Sequence, residues 1–121
     1  MKKKILIVDD DPRNIFALKL SLKAKGFEIV SAECAAAAIN MLKNDPSIDL
    51  VLMDMMMPEM DGYESIQIIR NSEDIRHLPI ISVTAQAMPE DWQKCIDAGA
   101  DDYVKKPVDM DVLMKSIEKF L

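Results

Sequence analysis

Apolar residues fall along this chain in two alternating textures, short unbroken runs of strand length and longer stretches with a helical period. The first run, Ile5 to Val8, lies between lysines and aspartates. From Pro12 to Lys25, Ile15, Leu18 and Leu22 share one helical face, Phe16 and Leu20 widen that stripe, and Gly26 stands where a C-terminal cap belongs. Phe27 to Ala32 predicts a second strand. Ala35, Ala38, Ile39 and Leu42 mark a second helix ending around Asp45 and Pro46, because the residue before a proline is pushed out of the helical region. Leu50 to Met53 is continuous enough for a strand buried on both faces. A loop follows from Met55 to Met60, and Asp61 with Glu64 spells a capping box for a third helix with Ile66 and Ile69 inward. Pro79 to Val83 predicts a fourth strand. Pro89 suits the first turn of a fourth helix, with Glu90 and Asp91 at the positive end of its dipole and Gly99 past its other end. Tyr103 and Val104 belong to a short fifth strand. A last helix, capped near Asp109, turns Leu113, Ile117 and either Phe120 or Leu121 inward.

Five strands alternating with five helices predict an α/β fold, a doubly wound parallel sheet with helices on both faces. No repeat, linker or low-complexity segment interrupts residues 1–121, and the length is too small for two self-supporting cores, so one domain is expected. The net charge of −6 opposes a phosphate backbone, which argues against direct nucleic-acid binding. With 3 glycines and no GxGxxG or GxxxxGK(S/T), glycine-rich phosphate loops are excluded. His77 is the sole histidine, too little for a zinc site or a serine triad. Cys34 and Cys95 have no CxxC spacing and read as two small buried thiols in a reducing compartment. The apolar run after Lys2, Lys3 and Lys4 is too short for an export signal, and no stretch is long enough to span a membrane. A cytoplasmic location without a membrane partner is expected.

The chemistry is expected where the strands end. The first ends in Asp9-Asp10, the third in Asp54, the fourth in Thr84, and the fifth leads into Lys106-Pro107. Parallel strands bring these ends to one edge, where ligands of such sheets bind. Two carboxylates about 4 Å apart repel by about 4 kcal/mol at an effective dielectric near 20. A hard divalent cation with oxygen ligands relieves that repulsion, and Mg²⁺ suits it because it accepts few protein ligands and completes its shell with water. Asp11, beside Pro12, reads as a helix cap and not a ligand. Any one of these residues alone would be an ordinary cap, turn or surface residue; their joint placement on four strand ends points to a site.

The segments ILIVDDD, LVLMDMMMPEMDGYE, PIISVTAQA and AGADDYVKKPVD resemble the receiver domain of two-component response regulators, chemotaxis-regulator-like, over essentially the whole length. The resemblance implies a flavodoxin-like sheet of order 2-1-3-4-5. It further implies that Asp54 is the phosphoacceptor, that Asp10 binds Mg²⁺ directly with Asp9 acting through water, and that Met56 offers its backbone carbonyl. Lys106 would grip a phosphoryl oxygen ahead of a cis proline bond, while Lys105 points the other way and is exposed. Thr84 would bond the phosphoryl group, and Tyr103 would turn inward in step with it. The residues two past Asp54 and two past Thr84, Met56 and Gln86, flank the water that hydrolyses the phosphate. Implied partners are a histidine kinase or histidine phosphotransfer protein, and a downstream protein met through the face of the fourth helix, fifth strand and fifth helix.

Two other readings compete. A phosphatase of the haloacid-dehalogenase type also uses an aspartyl phosphate, but needs a second aspartate where this chain has Met56. A receiver-like interaction module without phosphorylation is disfavoured because Asp9, Asp10, Asp54, Thr84 and Lys106 are all present. True enzymatic turnover of a substrate is therefore not expected. No output domain is visible in residues 1–121, and either a stand-alone regulator or a receiver from a hybrid kinase or longer regulator is expected. Met41 and Met53 fall at core positions, while Met55, Met56, Met57 and Met60 surround Asp54 as adaptable packing. Trp92 reads as a half-buried surface residue of the fourth helix, away from the site, or as a partner contact.

Overall fold

The computed structural model describes residues 2–85 and 88–121. In chain order the elements are β1 (Lys4–Val8), α1 (Pro12–Ala24), β2 (Glu28–Ala32), α2 (Ala35–Asn44), β3 (Ile48–Asp54), α3 (Gly62–Arg70), β4 (Ile80–Thr84), α4 (Pro89–Ala98), β5 (Asp102–Lys105) and α5 (Met110–Phe120). The five strands form one parallel sheet in the order β2-β1-β3-β4-β5, as the resemblance implied. Strand alternation sends the two halves of each run to opposite faces. Leu6, Val8, Val51, Met53 and Ile80 pack with Ala38 and Leu42 of α2, Ile66 and Ile69 of α3 and Cys95 of α4. Ile5, Ile7, Leu50, Leu52, Ile81 and Val83 pack with Ile15, Leu18 and Leu22 of α1 and Leu113 and Ile117 of α5. Both faces are thus covered, which is why the central strands read as unbroken apolar runs. Among the described residues no helix is long and apolar enough to cross a membrane.

Helix boundaries follow local chemistry. Asp11 caps α1 by accepting from Arg13 N–H, Asp61 caps α3 by accepting from Glu64 N–H, and Asp109 caps α5 by accepting from Asp111 and Val112 N–H. Gly99 ends α4 at φ 119°, a left-handed conformation that a Cβ would strain.

The structure corrects three expectations and decides one left open between two residues. Phe16 and Leu20 do not widen the buried stripe of α1; they are 64% and 56% exposed. Ile15, Leu18 and Leu22 fill the sector facing the sheet, and Phe16 is turned about 100° from Ile15. Cys34 is exposed at the N-cap position of α2, and only Cys95 is a buried thiol. Of the last two apolar residues Phe120 packs against the core, while Leu121 is exposed. Strand β3 starts at Ile48, earlier than the apolar run, because Lys4 pairs with Ile48 and its N–H donates to Asp49 Oδ2 at 2.8 Å.

Candidate functional site

The carboxyl ends of β1, β3, β4 and β5 converge as the parallel sheet requires. Asp9 follows β1 and is 3% exposed, Asp54 closes β3 at 3%, and Asp10 stands exposed in the turn between β1 and α1. One carboxylate oxygen from each of the three lies within 4.8 Å of the others. Lys106, just beyond β5, reaches into this cluster: its Nζ is 3.2 Å from Asp54 Oδ1 and 3.6 Å from Asp9 Oδ2. Its backbone N–H donates to Thr84 O at 2.8 Å, which fixes the lysine beside the end of β4. The Lys106-Pro107 bond is cis, as the resemblance implied. Lys105 is exposed, as expected of its neighbour along a strand.

Backbone donors orient both buried carboxylates. Asp9 Oδ1 accepts from Asp11 N–H at 2.9 Å, and Asp54 Oδ1 accepts from Met56 N–H at 3.1 Å. Burial pushes the Asp9 carboxyl above its ordinary range, and the charges of Asp54 and Asp10 push the same way. The Asp11 N–H and Lys106 oppose that shift. Negative charge therefore exceeds what Lys106 neutralises. The donor set is all oxygen, two groups anchored and one open to water, and this fits a hard divalent cation that keeps several waters.

Thr84 is fully buried at the end of β4. The Met56 side chain is 57% exposed beside Asp54, while Met55 and Met57 are buried in the core. Met53 is buried as expected and Met41 is half-buried. Gln86 lies outside the described residues. Tyr103 is half-buried on β5, and Trp92 is half-buried on α4 as expected. The Trp92 ring stacks on Tyr103 with centroids 4.7 Å apart and planes at 18°. The contact joins α4 to β5 across 11 residues of sequence, which no local pattern announces.

Two further residues escaped the sequence reading. Gly62 opens α3 directly against the Asp54 segment; a Cβ there would lie 2.7 Å from Met55 Cα and 2.8 Å from Asp54 O. The only sequence signal was its position after Asp61, where any small residue would serve. Arg70 ends α3 and donates to Gly99 O, Arg76 O, Leu78 O and Asp101 Oδ2 at 2.7–2.8 Å, binding together the loops at the opposite edge of the sheet.

Residues 5–118 match the model of the response regulator receiver domain. The chain belongs to that family. It is 42% identical over 117 residues to a probable cyclic di-GMP phosphodiesterase of Vibrio cholerae, covering 97% of this chain and 26% of that protein. It is 31% identical over 121 residues to the polar-differentiation response regulator DivK of Brucella ovis, covering 100% of this chain and 98% of DivK. The receiver domain of a sensor histidine kinase of Pseudomonas aeruginosa, solved with magnesium in its active-site cleft, superposes with a TM-score of 0.89. That match has 30% identity and covers 99% of this chain and 98% of that one. The chain spans about a quarter of the length of the phosphodiesterase. Receiver domains bind Mg²⁺ at an acidic cluster, and Asp9, Asp10 and Asp54 form such a cluster here.

Proposed function

We propose that this receiver is a phosphorylation-activated switch in which Asp54 accepts a phosphoryl group from a phosphohistidine of a histidine kinase or phosphotransfer protein, or from a small acyl phosphate. The observation that carries the reading is the convergence of Asp9, Asp10 and Asp54 around the Lys106 ammonium. An Asp54 oxygen attacks phosphorus and the bond to the donor breaks, leaving an aspartyl phosphate. Asp10, Asp54 and the Met56 carbonyl would hold Mg²⁺ directly and Asp9 through water, and the ion would supply charge neutralisation for the transferring group. Lys106 exchanges its contact with the carboxylate for a phosphoryl oxygen. Thr84 donates its hydroxyl to another, and Tyr103 follows it inward. A groove of about 510 Å³ bounded by α1 and the segment after β5 opens beside Asp9 and Lys106 and offers a donor side chain an approach.

The output is a change in the face formed by α4, β5 and α5, through which a downstream protein is bound. The chain itself turns over no substrate, and its place of action is the cytoplasm. Intact-mass measurement with acetyl phosphate and Mg²⁺ tests the chemistry: one phosphoryl group on the parent and none on Asp54→Asn are expected. Equal labelling of both would overturn the assignment. Hydrogen exchange with beryllofluoride tests the output, and protection changes confined to α1 would contradict it.

A further inference from the structure

Among the described residues two buried side-chain polar atoms lack a hydrogen-bond partner, Trp92 Nε1 and Ser82 Oγ, and both belong to residues against Tyr103. The Trp92 ring is stacked on it, and Ser82 is its partner across the β4–β5 ladder. A buried donor without an acceptor is a cost carried by the fold, and such costs concentrate where a second packing can relieve them. The helix beside them is lightly held. The sole buried residue of α4 is Cys95, in its second half, and its N-cap Met88 makes no side-chain cap bond. The first half of α4 is tied to the sheet by the Trp92 ring on Tyr103. Ser82 and Thr84 are two apart on β4 and share the face that also carries Ile80 toward α4. Whatever draws Thr84 toward Asp54 therefore acts next to the stack.

We propose that Trp92 is the positioning residue of the switch. Its ring latches Tyr103 and α4 in the resting packing, while its unpaired N–H biases the pair toward a second packing in which the orphaned groups find partners. The inference rests on the phosphorylation reading of Asp54 and deepens it by naming what sets the threshold. Stacking and the orphaned donor pull one two-state equilibrium in opposite directions, so two substitutions separate them. Trp92→Ala removes the latch. Trp92→Phe keeps an aromatic ring and removes the donor.

The test titrates the full chain with beryllofluoride in Mg²⁺, with the bound fraction read by fluorine NMR. A ligand that selects the second packing binds with a midpoint set by the fraction of that packing. Trp92→Ala is expected to lower the midpoint about threefold, the scale of one aromatic stack, and Trp92→Phe to raise it by a similar factor. On a Tyr103→Ala background, Trp92→Ala should add nothing further. In the parent, Trp92 fluorescence should change with beryllofluoride, and in Asp54→Asn it should not. Shifts in the same direction for both variants, as a merely structural role would give, or no shift in either, overturn the latch. Should Trp92→Ala fail to fold, Trp92→Phe decides alone, and a lowered or unchanged midpoint overturns it. A parent that takes no phosphoryl label at Asp54 overturns the function itself, which separates the two failures.

Discussion

Lys106 Nζ stands 3.2 Å from Asp54 Oδ1, so the carboxylate read as the nucleophile is already ion-paired before a donor arrives. That single ammonium faces three carboxylates, two of them buried. The imbalance makes the cluster a local cost of the metal-free fold that a cation removes. Asp9→Asn keeps an oxygen for the Asp11 N–H and discards one charge. In EDTA it should melt about 3–5 °C above the parent, the shift expected of about 1 kcal/mol in a domain of this size. Millimolar Mg²⁺ should raise the melting temperature of the parent and leave that of Asp10→Ala in place, since only a folded state that binds the ion is stabilised. Calorimetry with and without EDTA checks both, and an Asp9→Asn chain less stable than the parent in EDTA contradicts the repulsion argument.

Gly62 lets α3 start where backbone meets backbone. The nearest atoms to an added Cβ include Met55 Cα at 2.7 Å and Asp54 O at 2.8 Å, neither of which can swing aside as a side-chain tip can. Gly62→Ala should therefore destabilise by about 2 kcal/mol, the usual scale of overpacking, and displace the strand end that carries Asp54. Urea unfolding measures the first effect. Acetyl phosphate labelling followed by intact mass measures the second, with a slower rate expected.

Arg70 does structural work at the far edge of the sheet. Its guanidinium donates to three backbone carbonyls and to Asp101 Oδ2, which in turn accepts from Ile80 N–H at 2.9 Å. Truncation strands several of these groups at once, and Arg70→Ala should lose about 2–4 kcal/mol. Arg70→Lys should recover less than half of that loss, because a point-like ammonium cannot serve carbonyls on several sides. Asp54 labelling of the folded fraction should be unchanged, since Arg70 binds the segments before β4 and β5 while Asp54 closes β3 at the opposite end of the sheet. A labelling defect in folded Arg70→Ala would show that the two ends are coupled.

What the sequence discloses and what it hides divide along contact range. Buried parallel strands announce themselves because both faces are apolar, and Asp9 and Asp54 stand at the ends of those runs, so the convergence of their carboxylates was legible with the fold. Phe16 and Leu20 misled because hydropathy marks residues able to be buried, while the sheet accepts only the sector of α1 around Ile15, Leu18 and Leu22. Trp92 on Tyr103 and Arg70 on Gly99 depend on how α4 sits between its neighbours. No spacing rule within one element encodes such a contact. Gly62 was hidden for the same reason, since its constraint is the Asp54 backbone and not its own turn.

The lifetime of the phosphorylated state should depend on Met56. Its backbone N–H is bonded to Asp54 Oδ1, which fixes the residue beside that carboxylate, and the residue is 57% exposed. Hydrolysis of an aspartyl phosphate needs a water in line with the bond that breaks. A thioether neither donates a hydrogen bond to that water nor accepts a strong one, and its bulk competes for the space the water needs. Asparagine at the same position is shorter and carries both a donor and an acceptor. Met56→Asn should therefore dephosphorylate faster than the parent, roughly tenfold for one positioned polar group, with the rate of labelling little changed. Loss of the phosphoryl mass after removal of acetyl phosphate in Mg²⁺ gives the rate directly. Met56→Leu, which keeps the bulk and stays apolar, should match the parent. If Met56→Asn is as slow as the parent, the side chain does not reach the water's path and the lifetime is set elsewhere.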